Sequence, residues 1–187
     1  MEEPAAWLYN ETRQIGTDYE SRDEVERYDE RMSRLRDFDA ELAEIAEMTG
    51  LAAGHTLIEY GCGTGRIALD AARRCGRVIA IDISPAMLAY AEDRARAEEI
   101  GNMTFVQSGF LNYRHEGPPA DVALSQLALH HLPDFWKLVA LKNICGALRE
   151  GGKLYLKDVV FSLDVNRYES TIDYTIRHVA ETAGEEM

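Results

Sequence analysis

Three groups of residues carry the chemistry legible in this chain: the loop Glu59-Tyr60-Gly61-Cys62-Gly63-Thr64-Gly65, the carboxylate of Asp82, and the pair His130-His131. Three glycines at alternate positions after an apolar run suit a backbone that turns sharply and lets a ligand approach with no Cβ in the way. An ordinary glycine-rich turn is the bland alternative. A dinucleotide fingerprint GxGxxG begun at Gly61 needs glycine where Arg66 stands, and the Gly-Lys-Ser/Thr of a P-loop is absent. Glu59, two positions before the first glycine, disfavours a pyrophosphate and favours a ligand carrying positive charge. Asp82 closes the next apolar run, where a carboxylate accepts both hydroxyl protons of a ribose; a helix-capping role ahead of Ser84-Pro85 competes with that reading. Neighbours on a helical turn diverge by about 100°, so His130 and His131 are poorly placed to share one metal ion. A hydrogen-bonding role and a substrate-facing base or orienting role stay open for them.

The elements that must position these residues follow from periodicity. Within residues 20–49, Val25, Tyr28, Met32, Leu35, Phe38, Leu42, Ile45 and Met48 recur every three or four positions, which predicts one amphipathic helix, started at Ser21 or Asp18 and closed at Gly50. From Thr56 the pattern becomes short apolar runs, Thr56–Tyr60, Val78–Ile81, Met103–Val106, Val122–Ser125 and Lys153–Val160. Helical stretches Arg66–Cys75, Pro85–Ile100 and Asp134–Arg149 separate them, the last ended by Gly151-Gly152. Strands alternating with helices imply a parallel sheet, and runs as continuously apolar as Val78-Ile79-Ala80-Ile81 belong to a sheet covered on both faces. A further helix is expected from Leu163, with Val165, Tyr168, Ile172, Ile176 and Val179 on one face. The expected organisation is a helical N-terminal arm over residues 1–50 on an α/β unit over 51–187, together one domain.

Composition narrows the partners. The chain has 187 residues, 46% hydrophobic and 28% charged, which suits a single packed core. Its 33 acidic residues against 20 basic ones give a net charge of -13, which repels nucleic acid and anionic membranes in the absence of a basic run. Cys62, Cys75 and Cys145 show no zinc or redox spacing, so no metal is expected. The N-terminus has no basic and apolar leader pattern and no apolar run of about 18 residues occurs, which points to the cytoplasm.

Four segments, Leu57-Ile-Glu-Tyr-Gly-Cys-Gly-Thr-Gly, Ile81-Asp-Ile-Ser-Pro-Ala-Met-Leu, Leu127-Ala-Leu-His-His-Leu and Leu148-Arg-Glu-Gly-Gly-Lys-Leu, resemble the successive motifs of class I S-adenosylmethionine-dependent methyltransferases of the small-molecule group. They stand in the family's order over roughly residues 55–160. The resemblance implies a Rossmann-like, doubly wound, mainly parallel sheet that binds S-adenosyl-L-methionine and releases S-adenosyl-L-homocysteine. Glu59, Gly61, Cys62, Gly63 and Gly65 would hold the methionine part, Asp82 the ribose, and Ile83 and Met87 the adenine. Family members commonly carry an acidic residue after strand three that accepts from the adenine amino group; Gly109 stands there, with Phe110 as a wall of the adenine slot or a core aromatic. Gln126 would face the methionine end or the acceptor. Tyr28-Asp29-Arg31-Met32 resembles the arm segment that covers the cofactor, and Tyr19 and Trp7 are further lid candidates.

Methyl transfer from a sulfonium is an in-line displacement in which alignment supplies most of the acceleration, and a base is needed only for acceptors protonated at neutral pH. His130, His131 and Tyr28 are the catalytic candidates. Ser125-Gln-Leu-Ala stands where nucleic-acid amino-methylating enzymes carry Asn/Asp-Pro-Pro-aromatic, which leaves a small organic acceptor. The family's final antiparallel hairpin is missing, so strand five should be an exposed edge, inviting a homodimer that covers it. A silent cofactor-binding module is the alternative to an enzyme.

Overall fold

A computed structural model of the chain describes residues 7–12, 21–159 and 166–183. Five strands, β1 (Thr56–Tyr60), β2 (Arg77–Asp82), β3 (Met103–Gln107), β4 (Ala120–Gln126) and β5 (Leu148–Lys157), form one sheet in the order β3-β2-β1-β4-β5. Every neighbouring pair is parallel. The chain winds outward from β1 to β3, then crosses back to lay β4 on the other side of β1, so the strand order reverses at β1 and β4. Ligands of such sheets settle beyond the carboxyl ends of the strands at that reversal.

Alternate residues of β1 face opposite layers. Leu57 joins Phe38, Leu42 and Ile45 of α2 (Phe38–Thr49), Ile67 and Ala68 of α3 (Arg66–Ala72) and Leu88 of α4 (Pro85–Ala97). Ile58 and Tyr60 face the other way, onto Ala140, Ile144 and Ala147 of α5 (Asp134–Ala147). Burial on both faces is why β1 and β2 read as unbroken apolar runs. An N-terminal helix α1 (Arg22–Leu35) packs on α4, and α6 (Tyr168–Ala183) packs on α1.

Two expectations change. The single helix expected over residues 20–49 is two, because Asp37 turns its side chain back to accept from the Ala40 amide at 3.0 Å and starts α2, while Arg36 ends α1 in an extended conformation. The apolar stripe runs through the break because both helices face the same layer. Gly151-Gly152, expected to stop a helix, lie inside β5: α5 ends at Ala147, and the pairing with β4 slips from Ala120↔Leu148 to Val122↔Lys153. At Gly152 a Cβ would stand 2.9 Å from the Arg149 carbonyl and 3.2 Å from those of Ala120 and Asp121, and Gly151 has φ +73°, so the two glycines make the bulge. Ser21 caps α1 and Gly50 closes α2 in a left-handed conformation, as the sequence predicts. Asp18, Tyr19 and Val165 lie outside the described residues.

Candidate cofactor and active site

The glycine loop leaves β1 and folds over the end of β2, where the amides of Gly61 and Cys62 both donate to the Ile81 carbonyl. Gly61, Gly63 and Gly65 all have positive φ, at +73°, +52° and +73°. A Cβ on Gly61 would strike that of Ala128, and one on Gly65 would lie 2.7 Å from that of Ala91, whereas Gly63 faces open space. Two of the glycines therefore let elements close up behind the loop, and the third leaves its front clear for a ligand. The thiol of Cys62 is buried beside it, and burial pushes its pKa well up.

Asp82 ties this loop to the next. Its Oδ2 accepts from the Gly63 amide at 2.8 Å and its Oδ1 from the Ser84 amide at 2.9 Å, while Ser84 itself caps α4 through the Met87 amide. Burial raises the Asp82 pKa, and the Ser84 and Gly63 amides pull against that. The Ile83 amide pulls the same way, and the carboxylate as a whole keeps acceptor capacity beyond these three amides. Ile83, half-buried, accepts through its carbonyl from Gln107 at 3.4 Å, and Met87 is buried.

Glu59 points into the layer occupied by the arm and is 4% exposed. One of its carboxylate oxygens, Oε2, has no hydrogen-bond partner among the described residues, and neither do the buried Arg31 Nε and Ser125 Oγ. Burial pushes the Glu59 pKa up to about 8, against the pull of Arg36. Beside it, Arg36 reaches Glu41 at 2.5 Å and the Gln126 side-chain Oε1 at 3.0 Å, while the Gln126 Nε2 donates to Glu41 at 3.2 Å. The arm is thus pinned to the end of β4. It is also pinned to the loop, since Thr64 donates to Asp29 at 2.7 Å and Asp29 pairs with Arg94 at 3.4 Å. Arg31 lies 5.9 Å from the ring of half-buried Tyr28.

After β4 the chain passes through Leu127 at φ +51°, a strained conformation for a branched side chain, into a single helical turn Leu129–His131 that buries Leu129 in the α5-side core. His130 is held twice by Asp158, which accepts from its amide at 2.9 Å and bonds Nδ1 at 2.6 Å. His131 packs its ring 4.3 Å from that of His130, and burial lowers its pKa. Trp7 stacks on Trp136 of α5 at 6.3 Å, so it joins α5.

The place after β3 expected to hold an acidic side chain is filled from elsewhere. A Cβ on Gly109 would strike the carboxyl group of Glu11. That carboxylate is 7% exposed and accepts from the amides of Leu111 at 2.9 Å and Asn112 at 3.0 Å and from the Asn112 side chain at 3.0 Å. Burial raises its pKa against the pull of these amides. Phe110 stacks on Tyr60 with centroids 5.7 Å apart, inside the α5-side core.

Sequence reading missed Asp158, Glu11, Arg36 and Glu41. Asp158 had a signal, an acid just past a strand end in the manner of Asp82; the others depend on which distant segments meet. Chains resembling this one decide the family. A profile described as "Methyltransferase domain" matches residues 57–152, just over half of the chain. The chain belongs to the methyltransferase domain family. An uncharacterized methyltransferase of Geobacillus thermodenitrificans is 31% identical over 150 residues, covering 80% of this chain and 66% of that protein. The 27-O-demethylrifamycin SV methyltransferase of Amycolatopsis mediterranei is 31% identical over 138 residues, covering 73% of this chain and 48% of that one. The chain therefore spans about half to two thirds of these relatives. Among solved structures, a DhpI complex with S-adenosylhomocysteine matches with a TM-score of 0.62 at 24% identity, covering 75% of this chain and 66% of that one, a likeness of fold. This methyltransferase-family chain thus carries the Rossmann-like core with five parallel strands among its described residues.

Proposed function

We propose that the chain transfers a methyl group from S-adenosylmethionine to a small-molecule acceptor that is protonated at neutral pH. The observation that carries the proposal is the buried Glu59 carboxylate with an unpartnered oxygen beside an open glycine loop. A buried carboxylate with one oxygen unpartnered is costly, and a ligand with an ammonium and a sulfonium relieves that cost. The residues present fit this cofactor. Glu59 and the backbone of Gly61 to Gly65 would hold the ammonium end, and the unpartnered Arg31 Nε would meet the carboxylate end. Asp82 would take the ribose hydroxyls, and Ile83 and Met87 would flank the base. The cofactor supplies an activated methyl group.

The chain's own part is alignment and one proton. Gln126, held by Arg36 and Glu41, and the turn at Leu127 set the acceptor side of the cleft. Asp158, bonded to Nδ1 of His130, orients the ring and leaves Nε2 as the proton acceptor for a hydroxyl. Such a base suits oxygen methylation, which the name of the Amycolatopsis relative also describes for that protein.

Calorimetric titration tests the cofactor. S-adenosylmethionine and S-adenosylhomocysteine are expected to bind and NAD not to. Asp82→Ala should weaken S-adenosylhomocysteine by about 1.5–3 kcal/mol, the worth of hydrogen bonds to a charged group. Heat with NAD and none with either sulfur ligand would overturn the proposal.

A further inference from the structure

The segment Trp7–Thr12 crosses the α5 face of the sheet and ends in a carboxylate placed in a space that glycine leaves open. Apolar and turn contacts hold it besides that carboxylate. Trp7 and Tyr9 pack on Trp136, each with centroids 6.3 Å apart, Leu8 and Tyr9 lie against the α5-side core, and Asn10 closes a turn onto Thr12. The Glu11 carboxylate adds bonds to the Leu111 and Asn112 amides and to the Asn112 side chain. Glu11 is buried at a cost, with its carboxyl group on the spot where the side chain of residue 109 would begin.

That spot lies beside the proposed cofactor cleft. Gln107 at the end of β3 is in register with Asp82 at the end of β2, and the Ser108 amide donates to the Asp82 carbonyl. Gly109 follows directly. With the ribose on Asp82, the base extends along the strand ends towards β3, where this carboxylate stands. Oε1 takes three hydrogen bonds, from the Leu111 and Asn112 amides and the Asn112 side chain, and Oε2 shares the Leu111 amide. The Phe110 amide also pulls on the carboxylate, so the acceptor capacity that remains is small, and the chemistry it suits is a single amino N–H donor.

We infer that Glu11, reaching in from the N-terminal segment, is the base-selecting residue of the cofactor site: its carboxylate accepts from the exocyclic amine of an aminopurine, in place of a side chain that Gly109 lacks. The inference rests on the cofactor reading above. It also explains the glycine, since any side chain at 109 collides with the Glu11 carboxyl group.

The test is calorimetric titration of the full chain with S-adenosylhomocysteine and with its inosine analogue, in which a carbonyl replaces the amine. The wild-type chain should prefer the amino ligand by about 10- to 100-fold, the worth of one bond to a charged acceptor. Glu11→Ala should lose that preference, and Glu11→Gln should reduce it. Gly109→Asp in the Glu11→Ala background, which returns a carboxylate to the same space, should restore it. Thermal unfolding of each variant identifies those that fold. A Glu11→Ala chain that keeps full preference overturns the inference alone. A folded double variant with no preference also overturns it. A wild-type chain that binds neither ligand overturns the cofactor reading and the inference together.

Discussion

At the scale of residues, Glu59 controls the pH behaviour. Its pKa in the fold is about 8 against an ordinary 4.5 because burial penalises the charged form. The sign follows: its contribution to the stability of the unliganded chain is complete below pH 4.5 and is lost as pH rises through about 8. A cationic ligand reverses the preference, so S-adenosylmethionine should tighten by up to about tenfold per pH unit below the raised pKa, level off above it, and release a proton on binding. Titrations at several pH values, in two buffers of different ionisation heat, measure both effects. Glu59→Gln should bind with a flat profile, and a flat profile in the wild type would contradict the assignment. His130 and Asp158 carry the second prediction. His130→Ala should lower kcat by about 100-fold or more on hydroxyl acceptors, with S-adenosylhomocysteine affinity unchanged. Asp158→Asn should move kcat the same way, measured by label transfer from the methyl donor to a panel of hydroxyl and amine compounds. Gly61 to Gly65 and Asp82 were legible as a candidate ligand site because their meaning is local: a strand, a turn and a strand end. The pairings Glu11 with Gly109 and His130 with Asp158 were not, because nothing near either member names a partner many residues away.

At the scale of elements, the arm is a clasp. The Thr64 hydroxyl joins α1 to the glycine loop through Asp29, and Arg36 joins the α1–α2 junction to Gln126. Thr64→Val should cost about 0.5–1.5 kcal/mol and make the stretch around Arg36 and Asp37 more open to protease; bound S-adenosylhomocysteine should slow that cleavage again. Equal cleavage rates in the variant and the wild type would show that the clasp holds nothing. Asp37→Ala should lose about 1 kcal/mol as the cap of α2 goes, read as a shift in the thermal midpoint. The break at Asp37 escaped the sequence pattern because the apolar positions Leu35 and Phe38 keep helical spacing across it. The bulge at Gly151-Gly152 escaped it for a related reason: two glycines mark a helix end or a strand irregularity equally well, and only the shifted register with β4 distinguishes them. The inner strands β1, β2 and β4, by contrast, were visible as apolar runs because they are covered on both faces, while the outer β3 and β5 are only partly covered.

At the scale of the whole molecule, β5 is an outer strand among the described residues, with Leu156 exposed on it, Val159 exposed just beyond its end and Met48 exposed on the neighbouring α2. An open edge of this kind pairs readily with another chain. The wild type is expected to self-associate in sedimentation experiments and Leu156→Lys to shift it towards monomer; a wild type monomeric at high concentration would refute this. No described helix is long and apolar enough to cross a membrane. The proposed cleft lies at the strand-order reversal, where β1, β2 and β4 end and where the loop Glu59–Gly65 meets Asp82, with the turn that carries His130 following β4. A crystal structure of the chain with S-adenosylhomocysteine tests that claim most directly. The ribose hydroxyls are expected on Asp82, the amino-acid end over Gly61 to Gly63 beside Glu59, and the base against Ile83. Ligand density at any other surface, or none at saturating ligand, would contradict the account.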